Sequence, residues 1–298
     1  MAENQQGCSS GSCQGCPSAA GCSSAGKDTT AGQAAPNLSE FRVPTHEMNH
    51  IRHVIGVVSG KGGVGKSMVS DMLAVNMQRQ GHAVGILDAD ITGPSTPTAF
   101  GIRQKAEGSD IGLFPAVSKT GIRIMSLNLL LADQSDPVAW RGPVISSMVQ
   151  QFWTDVVWGD LDYLFVDMPP GTGDVTLTVF QSLPLDGIVV VTSPQDLVSQ
   201  VVTKAVKMAR MLDIPILGLV ENMSYLNCPD CGKKISLFGE SHLEKHAQDW
   251  NIDTLARLPL DPKLTQAIDQ GAIEGYEGDW LDAVDEVLSH LPDNPELT

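Results

Sequence analysis

HVIGVVSGKGGVGKS, residues 53–67, joins a run of β-branched residues to a glycine-rich loop. His53 to Ser59 reads as a short buried strand. Gly60-Lys61-Gly62-Gly63-Val64-Gly65-Lys66-Ser67 matches GxxxxGK[ST]. The stretch from Lys66 to Gln80 reads as a helix with an apolar stripe through Met72, Val75 and Met77, with Leu73 and Asn76 between, and Gly81 is its expected stop. Strand, glycine loop and helix form the context in which this motif cradles phosphate rather than making an ordinary turn. The glycines let backbone N–H groups close around phosphate oxygens, and the helix N-terminus adds its own positive end. Lys66 is expected to reach the β- and γ-phosphates of ATP, and Ser67 to ligate Mg²⁺.

Outward from this loop the same alternation continues. Ala83 to Leu87 reads as a second strand that ends in Asp88-Ala89-Asp90, and Ile122–Leu127, Tyr163–Val166, Gly187–Thr192 and Ile216–Val220 read as further buried strands. Helices are expected at 144–157 and 197–212. Continuous apolar strands alternating with helices predict an α/β fold, a mostly parallel sheet covered by helices on both faces. In such a fold the loops after the strand ends carry the chemistry. Polar motifs do follow the expected strands, at 59–67, 88–95, 167–174, 192–196 and 221–224. Tyr163-Leu164-Phe165-Val166-Asp167 is an apolar strand ending in a carboxylate, the Walker B arrangement, and Asp167 is expected in the Mg²⁺ shell. A carboxylate in the 88–90 turn can hold the attacking water or sense the γ-phosphate; its alternative is a solvated turn. In Met168-Pro169-Pro170-Gly171-Thr172-Gly173-Asp174 the prolines stiffen the entry and the glycines allow backbone near the γ-phosphate.

Composition bounds the functions open to the chain. It has 298 residues, 42% hydrophobic and 18% charged, which is ordinary globular usage. No apolar run approaches a bilayer span, and the N-terminus lacks the basic and apolar regions of a signal peptide, so a cytoplasmic protein is expected. The formal charge is −16, from 35 acidic and 19 basic residues, a field that repels nucleic acid and anionic membranes. Residues 264–298 hold nine Asp or Glu and no Lys or Arg, which excludes a basic membrane-binding helix there. Residues 1–40, dominated by Gly, Ser, Ala, Gln and Cys, are expected to be a largely flexible tail, and 41–298 the folded ATPase domain.

The six cysteines fall into two groups. Cys228-Pro229-Asp230-Cys231-Gly232 is a CxxC at a turn. Two thiolates at this spacing can grip one metal ion or two irons of a cluster, but cannot complete a four-ligand site. A symmetric dimer would supply two more. Half a zinc ribbon and a redox CxxC are the alternatives; the first lacks a second nearby CxxC, and the second usually opens a helix in a thioredoxin-like βαβ context, whereas Pro229 and Gly232 favour a turn. Cys8, Cys13, Cys16 and Cys22 lie within fifteen residues and can wrap a [4Fe–4S] cluster; zinc, or an unoccupied redox-sensitive tail, are the other readings.

The second lysine of the loop, Lys61, is not needed by an ordinary P-loop. GKGGVGKS resembles the deviant P-loop of the MinD/ParA/Mrp class of dimeric ATPases, in which the early lysine reaches the partner's nucleotide. Met68 departs from the Thr usual after GK[ST]. With DADITGPS, DYLFVDMPPGTGD, ENMSYLNCPDCG and LPLDP in that order, residues 40 to 290 resemble the Mrp/ApbC family of iron–sulfur carrier ATPases. That resemblance implies the γ-phosphate role for Asp90 in a switch I loop, a switch II loop at 168–174, an adenine contact for Asn222, and a base-side loop at Pro259-Leu260-Asp261-Pro262. It implies a homodimer that holds a labile [4Fe–4S] cluster between CxxC pairs and passes it to apo iron–sulfur proteins. The tail resembles the N-terminal cysteine motif of the eukaryotic cytosolic nucleotide-binding branch, although the gap from Cys8 to Cys13 is shorter. Three other functions share parts of the pattern: a MinD- or ParA-like positioning ATPase, a redox ATPase like nitrogenase iron protein, and insertion of nickel or zinc. The acidic charge opposes the first, and the close CxxC pair fits a carrier better than the second.

Overall fold

Four residues of the first strand explain the layering. In β1 (His50–Ser59), Val54 and Val58 join one apolar cluster and Ile55 and Val57 the other, and all four are excluded from solvent. A strand that is apolar on both faces must be covered on both. The computed structural model describes residues 41–298 apart from 92, 94, 132–141, 196, 240, 242 and 298. The expected tail, with Cys8, Cys13, Cys16 and Cys22, lies outside the described residues.

Along the chain follow α1 (Lys66–Arg79), β2 (Val84–Asp88), α2 (Thr96–Ala99), β3 (Glu107–Ser109), β4 (Gly112–Phe114), β5 (Ala116–Val117), β6 (Arg123–Ser126), α3 (Gly142–Thr154), β7 (Asp160–Asp167), α4 (Asp174–Ser182), β8 (Gly187–Thr192), α5 (Leu197–Met211), β9 (Ile216–Asn227), β10 (Lys234–Ile235), α6 (Leu243–Trp250), β11 (Thr254–Pro259), α7 (Pro262–Asp269) and α8 (Asp282–Ser289). The main sheet runs β10-β9-β8-β1-β7-β2-β6-β5, and β11 also pairs with β9. Its strand pairs are parallel except for β5 with β6 and β10 with β9. Side chains of α3, α4, α5 and α6 cover one face, around Phe152, Trp153 and Phe180. Those of α1, α2, α7 and α8 cover the other, around Leu73, Met77 and Leu288.

From β1 the chain passes through α1 to β2, leaving a place that β7 fills; β8 then pairs on the opposite side of β1. Strand order therefore reverses at β1, and the crevice at its carboxyl end is where a doubly wound sheet binds ligands. Among the described residues no helix is long and apolar enough to cross a membrane.

The fold class follows the expectation, and three local readings change. Helix α1 carries no single stripe: Val69 through Met77 are all buried, because the helix is wedged between the sheet on one side and α2, the turn at Ile273–Gly275 and α8 on the other. Strand β9 does not stop at Val220 but runs to Asn227, so Asn222 lies inside the strand rather than after it. Polar Glu221 and Asn222 end the apolar run, yet pairing with β11 and then β10 carries the strand onward. Strands β3, β4, β5, β10 and β11 and helices α2, α4, α6, α7 and α8 are additions to the elements expected.

Candidate functional site

Strand register puts the acids in one row. Asp88 at the end of β2 lies opposite Asp167 at the end of β7 and Ser126 at the end of β6, and Asp167 lies opposite Val57 of β1. The glycine loop leaves β1 beside this row. Ser67 Oγ donates to Asp167 Oδ2 at 2.6 Å. Lys66 Nζ donates to Asp167 Oδ1 and lies 3.7 Å from Asp90 Oδ2. A cleft of about 320 Å³ opens here, lined in part by Lys61, Gly63, Lys66, Ser67, Asp90 and Pro170. Lys66, Ser67, Asp90 and Asp167, far apart in sequence, thus share one site. A larger cavity of about 420 Å³ is lined by the Arg42–Glu296 ion pair, Thr45, Asn49 and apolar residues such as Val43, Trp153 and Leu297, and brings no row of acids to a phosphate loop, so size does not mark the chemistry.

The loop is shaped by two left-handed glycines, Gly63 (φ 81°) and Gly65 (φ 80°). Asn222 braces it from β9: its Nδ2 donates to Val64 O at 2.9 Å, and its Oδ1 accepts from Met223 N at 2.8 Å. Gly171 N donates to Ser59 O at 2.8 Å, which lays the 168–174 loop over the start of the glycine loop. Lys61 Nζ donates to Gln195 Oε1 on the loop after β8. In the 259–262 segment, Leu260 N donates to Tyr225 O at 2.7 Å and Asp261 caps α7 by accepting from Lys263 N at 2.8 Å. From α7, Ile268 reaches the cleft.

Around the single buried ammonium of Lys66 stand four carboxylates. Burial raises Asp167, while the charge and hydrogen bond of Lys66 oppose the rise. Asp88 is pushed up to about 8 by burial first and then by the charge of Asp167. It accepts from Ser126 Oγ at 3.0 Å and from Asp90 N at 3.1 Å. Asp71, one turn beyond Ser67 on α1, is raised well above the usual carboxylate range by burial and then by Asp167 and Asp88; Thr96 Oγ1 donates to it at 3.1 Å. One lysine cannot compensate four close acids in a dry site, so burial and mutual repulsion push Asp71 and Asp88 upward. The motif reading passed over Asp71, Thr96, Ser126 and Ile268, and took in Gln195 only as part of the 192–196 motif, without a role. Only Asp71 carried a signal, since i and i+4 share a helix face.

The CxxC lies elsewhere. Cys228 follows β9, six residues and about 20 Å of strand beyond Asn222. Cys228 N donates to Lys233 O and Gly232 N to Cys228 O, both at 2.9 Å, and Gly232 takes φ 70°. Beta-strand pairing of Lys234 and Ile235 with Asn227 and Leu226 closes the hairpin. Both thiols are free, Cys231 exposed and Cys228 half-buried. Backbone N–H groups of Cys231 and Asp230 pull the Cys228 thiol below its ordinary value. Among the described residues no group of three or more His, Cys, Asp or Glu is placed to hold a metal ion, so the hairpin offers two ligands and no third. Residues 231–239 are all exposed, including Ile235, Leu237 and Phe238.

Residues 50–290 match the family described as ParA, NUBPL iron-transfer P-loop NTPase. A protein of Clostridium perfringens named iron-sulfur cluster carrier protein is 43% identical over 274 residues, 89% of this chain and 94% of the relative. One of the same name from Methanocaldococcus jannaschii is 47% identical over 226 residues, 75% of this chain and 78% of the relative. Among solved structures, a nucleotide-binding protein from Archaeoglobus fulgidus in complex with ADP, with cobalt found, is 42% identical. It has a TM-score of 0.71 and covers 82% of this chain and 93% of its own. MinD in the MinC:MinD cell division complex of Aquifex aeolicus, at 18% identity, shares the fold alone, with a TM-score of 0.57 over 80% of this chain and 95% of that one.

Proposed function

Because the chain belongs to the ParA-type NUBPL iron-transfer P-loop NTPases, the Mrp/ApbC group of iron–sulfur cluster carriers, we propose that it is an ATP-hydrolysing homodimer that carries a labile [4Fe–4S] cluster and delivers it to apo-proteins. Residues 41–298 form the ATPase domain of this reading, and the compartment is the cytoplasm. The observation that carries it is the presence, on one sheet, of a P-loop cleft and an exposed two-thiol hairpin.

In the cleft the backbone N–H groups of residues 60–67 surround the phosphates of ATP, and Lys66 Nζ faces the β- and γ-phosphates. Ser67 Oγ and Asp167 Oδ2, a convergent pair of hard oxygen donors, fit Mg²⁺, which when bound neutralises phosphate charge. Asp90, 3.7 Å from Lys66, accepts a hydrogen bond from the water that attacks the γ-phosphate. Asn222 keeps one amide hydrogen for the adenine while the other holds Val64 O. Lys61 leaves Gln195 to reach the partner's phosphate, so turnover needs the dimer.

A cubane cluster needs four thiolates and each chain offers Cys228 and Cys231, so the twofold axis runs through the cluster. The exposed Ile235, Leu237 and Phe238 beside the thiols support a second copy as their cover, since a contiguous apolar strip marks an interface. Transfer exchanges each iron–thiolate bond of the carrier for one from the acceptor, with no net oxidation.

The test is anaerobic reconstitution of the full chain with Cys8, Cys13, Cys16 and Cys22 replaced by serine. About four irons per dimer and a cluster absorption band are expected, both lost in Cys228→Ser and Cys231→Ser with ATP binding intact. Restoring the tail cysteines is expected to add about four irons per chain. Iron that survives both cysteine substitutions overturns the carrier site.

A further inference from the structure

The residue beside Asn222 ties the thiol hairpin to the nucleotide loop. Glu221 of β9 is only 1% exposed. A carboxylate so deep persists where hydroxyls and cations replace water. Its oxygens accept from Ser224 Oγ at 2.5 Å and from Ser241 Oγ, and Arg257 Nε, in register on β11, lies 3.8 Å away. Ser224 stands on the leg of chain that enters the hairpin, and Ser241 on the leg that leaves it. Ser241 Oγ also caps α6 by accepting from Leu243 N at 3.1 Å. One buried side chain therefore holds both legs. Its neighbour in sequence holds Val64 O of the P-loop, and the backbone turns left-handed immediately after, at Met223 (φ 57°).

We propose that Glu221 is a positioning residue that couples the nucleotide loop to the Cys228–Cys231 thiolates, an inference that rests on the cluster reading above. A displacement of the P-loop moves Val64 O, the Asn222 amide bonded to it, and the stretch of β9 on which Glu221 sits. Because the carboxylate holds Ser224 and Ser241 together, the two legs shift as a unit. The thiolates at the tip are then re-aimed against those of the second copy. Without the carboxylate each leg follows its own neighbours, and the nucleotide no longer sets the thiolate geometry.

The experiment uses the full chain with the four tail cysteines changed to serine, loaded with iron and sulfide. Cluster loss to a ferrous chelator is timed with and without ATP. With Glu221 present the two rates are expected to differ about fivefold or more, an ordinary coupling between sites. Glu221→Ala is expected to keep its iron content and ATP affinity while the ratio of rates falls close to one. Glu221→Gln, whose amide oxygen still accepts one hydroxyl, falls between. Ser241→Ala, a half-buried position, frees one leg without opening the core and is read in the same way if Glu221→Ala does not fold. An unchanged ratio in folded Glu221→Ala or in Ser241→Ala overturns the inference, as does a parent protein that holds its cluster but ignores ATP. A parent that binds no iron dependent on Cys228 overturns the cluster reading instead.

Discussion

Alanine at Gly65 tests the closest approach in the nucleotide cleft. Gly65 takes φ 80°, and a Cβ there would lie 2.2 Å from Asn222 Nδ2 and 3.5 Å from Met68 Cε. Two costs add. A left-handed backbone costs an L-residue about 1–2 kcal/mol, of which the stiffer unfolded chain returns about 0.4–1 kcal/mol. The overlap is relieved by swinging the Asn222 amide away, because Val69 N holds Gly65 O at 3.1 Å and fixes the backbone. That motion breaks the bonds to Val64 O and Met223 N, and each stranded polar group costs about 1–3 kcal/mol. Gly65→Ala should therefore lose roughly 3–7 kcal/mol in all, a large share of a domain's usual margin. Gly63→Ala is the control: it has φ 81° but nothing within 4 Å of the added Cβ, so about 1 kcal/mol is expected. Asn222→Ala loses the two bonds without the overlap. The double variant Gly65→Ala/Asn222→Ala should then cost only about 1 kcal/mol more than Asn222→Ala, a strongly sub-additive pair. Urea unfolding measures all four. In heating, about 2–4 °C per kcal/mol at this size puts Gly65→Ala roughly ten degrees or more below the parent. Equal losses for Gly63→Ala and Gly65→Ala, or additive singles, would refute the reasoning.

Lys66→Ala removes the cation that contacts both Asp167 and Asp90; ATP turnover should fall at least about a hundredfold, and steady-state phosphate release near the parent rate would sink the assignment. Equal mixing of Lys61→Ala with Lys66→Ala chains should restore about a quarter of parental turnover, since half the dimers are mixed and each has one complete site; no recovery with dimers present counts against a lysine acting in trans. Burial lifts Asp285 to about 6, with the Asn76 hydrogen bond opposing and the charge of Asp282 adding to the rise. Its folded value is above the unfolded one near 3.9, so its contribution is full below about pH 4 and lost by about pH 6. Asp285→Asn should therefore gain stability over the parent as pH rises through that window, on the order of 2 kcal/mol at the plateau. A difference that is flat in pH by urea unfolding would contradict this.

The glycine loop was legible because its chemistry is contiguous. Residues 60–67 carry their own backbone requirements, and the flanking apolar strand and helix are readable by local pattern. The same holds for the strand ending at Asp167 and for the spacing of Cys228 and Cys231. Boundaries failed where pairing replaced pattern. Beyond Val220 the apolar run ends, and only the hydrogen bonds to β11 and β10 extend β9 to Asn227. Helix α1 looked one-sided, and the approach of α2, the Ile273–Gly275 turn and α8 buried its other sides.

The sequence by itself determined the α/β layering, the phosphate-cradling loop and the two-thiol turn, since each depends on neighbours along the chain. Tertiary structure alone decided that Asp88, Asp167 and Ser126 end in one row, that Asp71 is buried near them with Thr96 as a hydrogen-bond donor, that Asn222 grips Val64 O, and that Glu221 gathers Ser224 and Ser241 on the two legs of the thiol hairpin. Those facts follow from strand register and from burial. Register is set by the cores on both faces of the sheet, and burial by how every covering helix packs. A one-residue slip in either would leave all the motifs readable and the sites unmade.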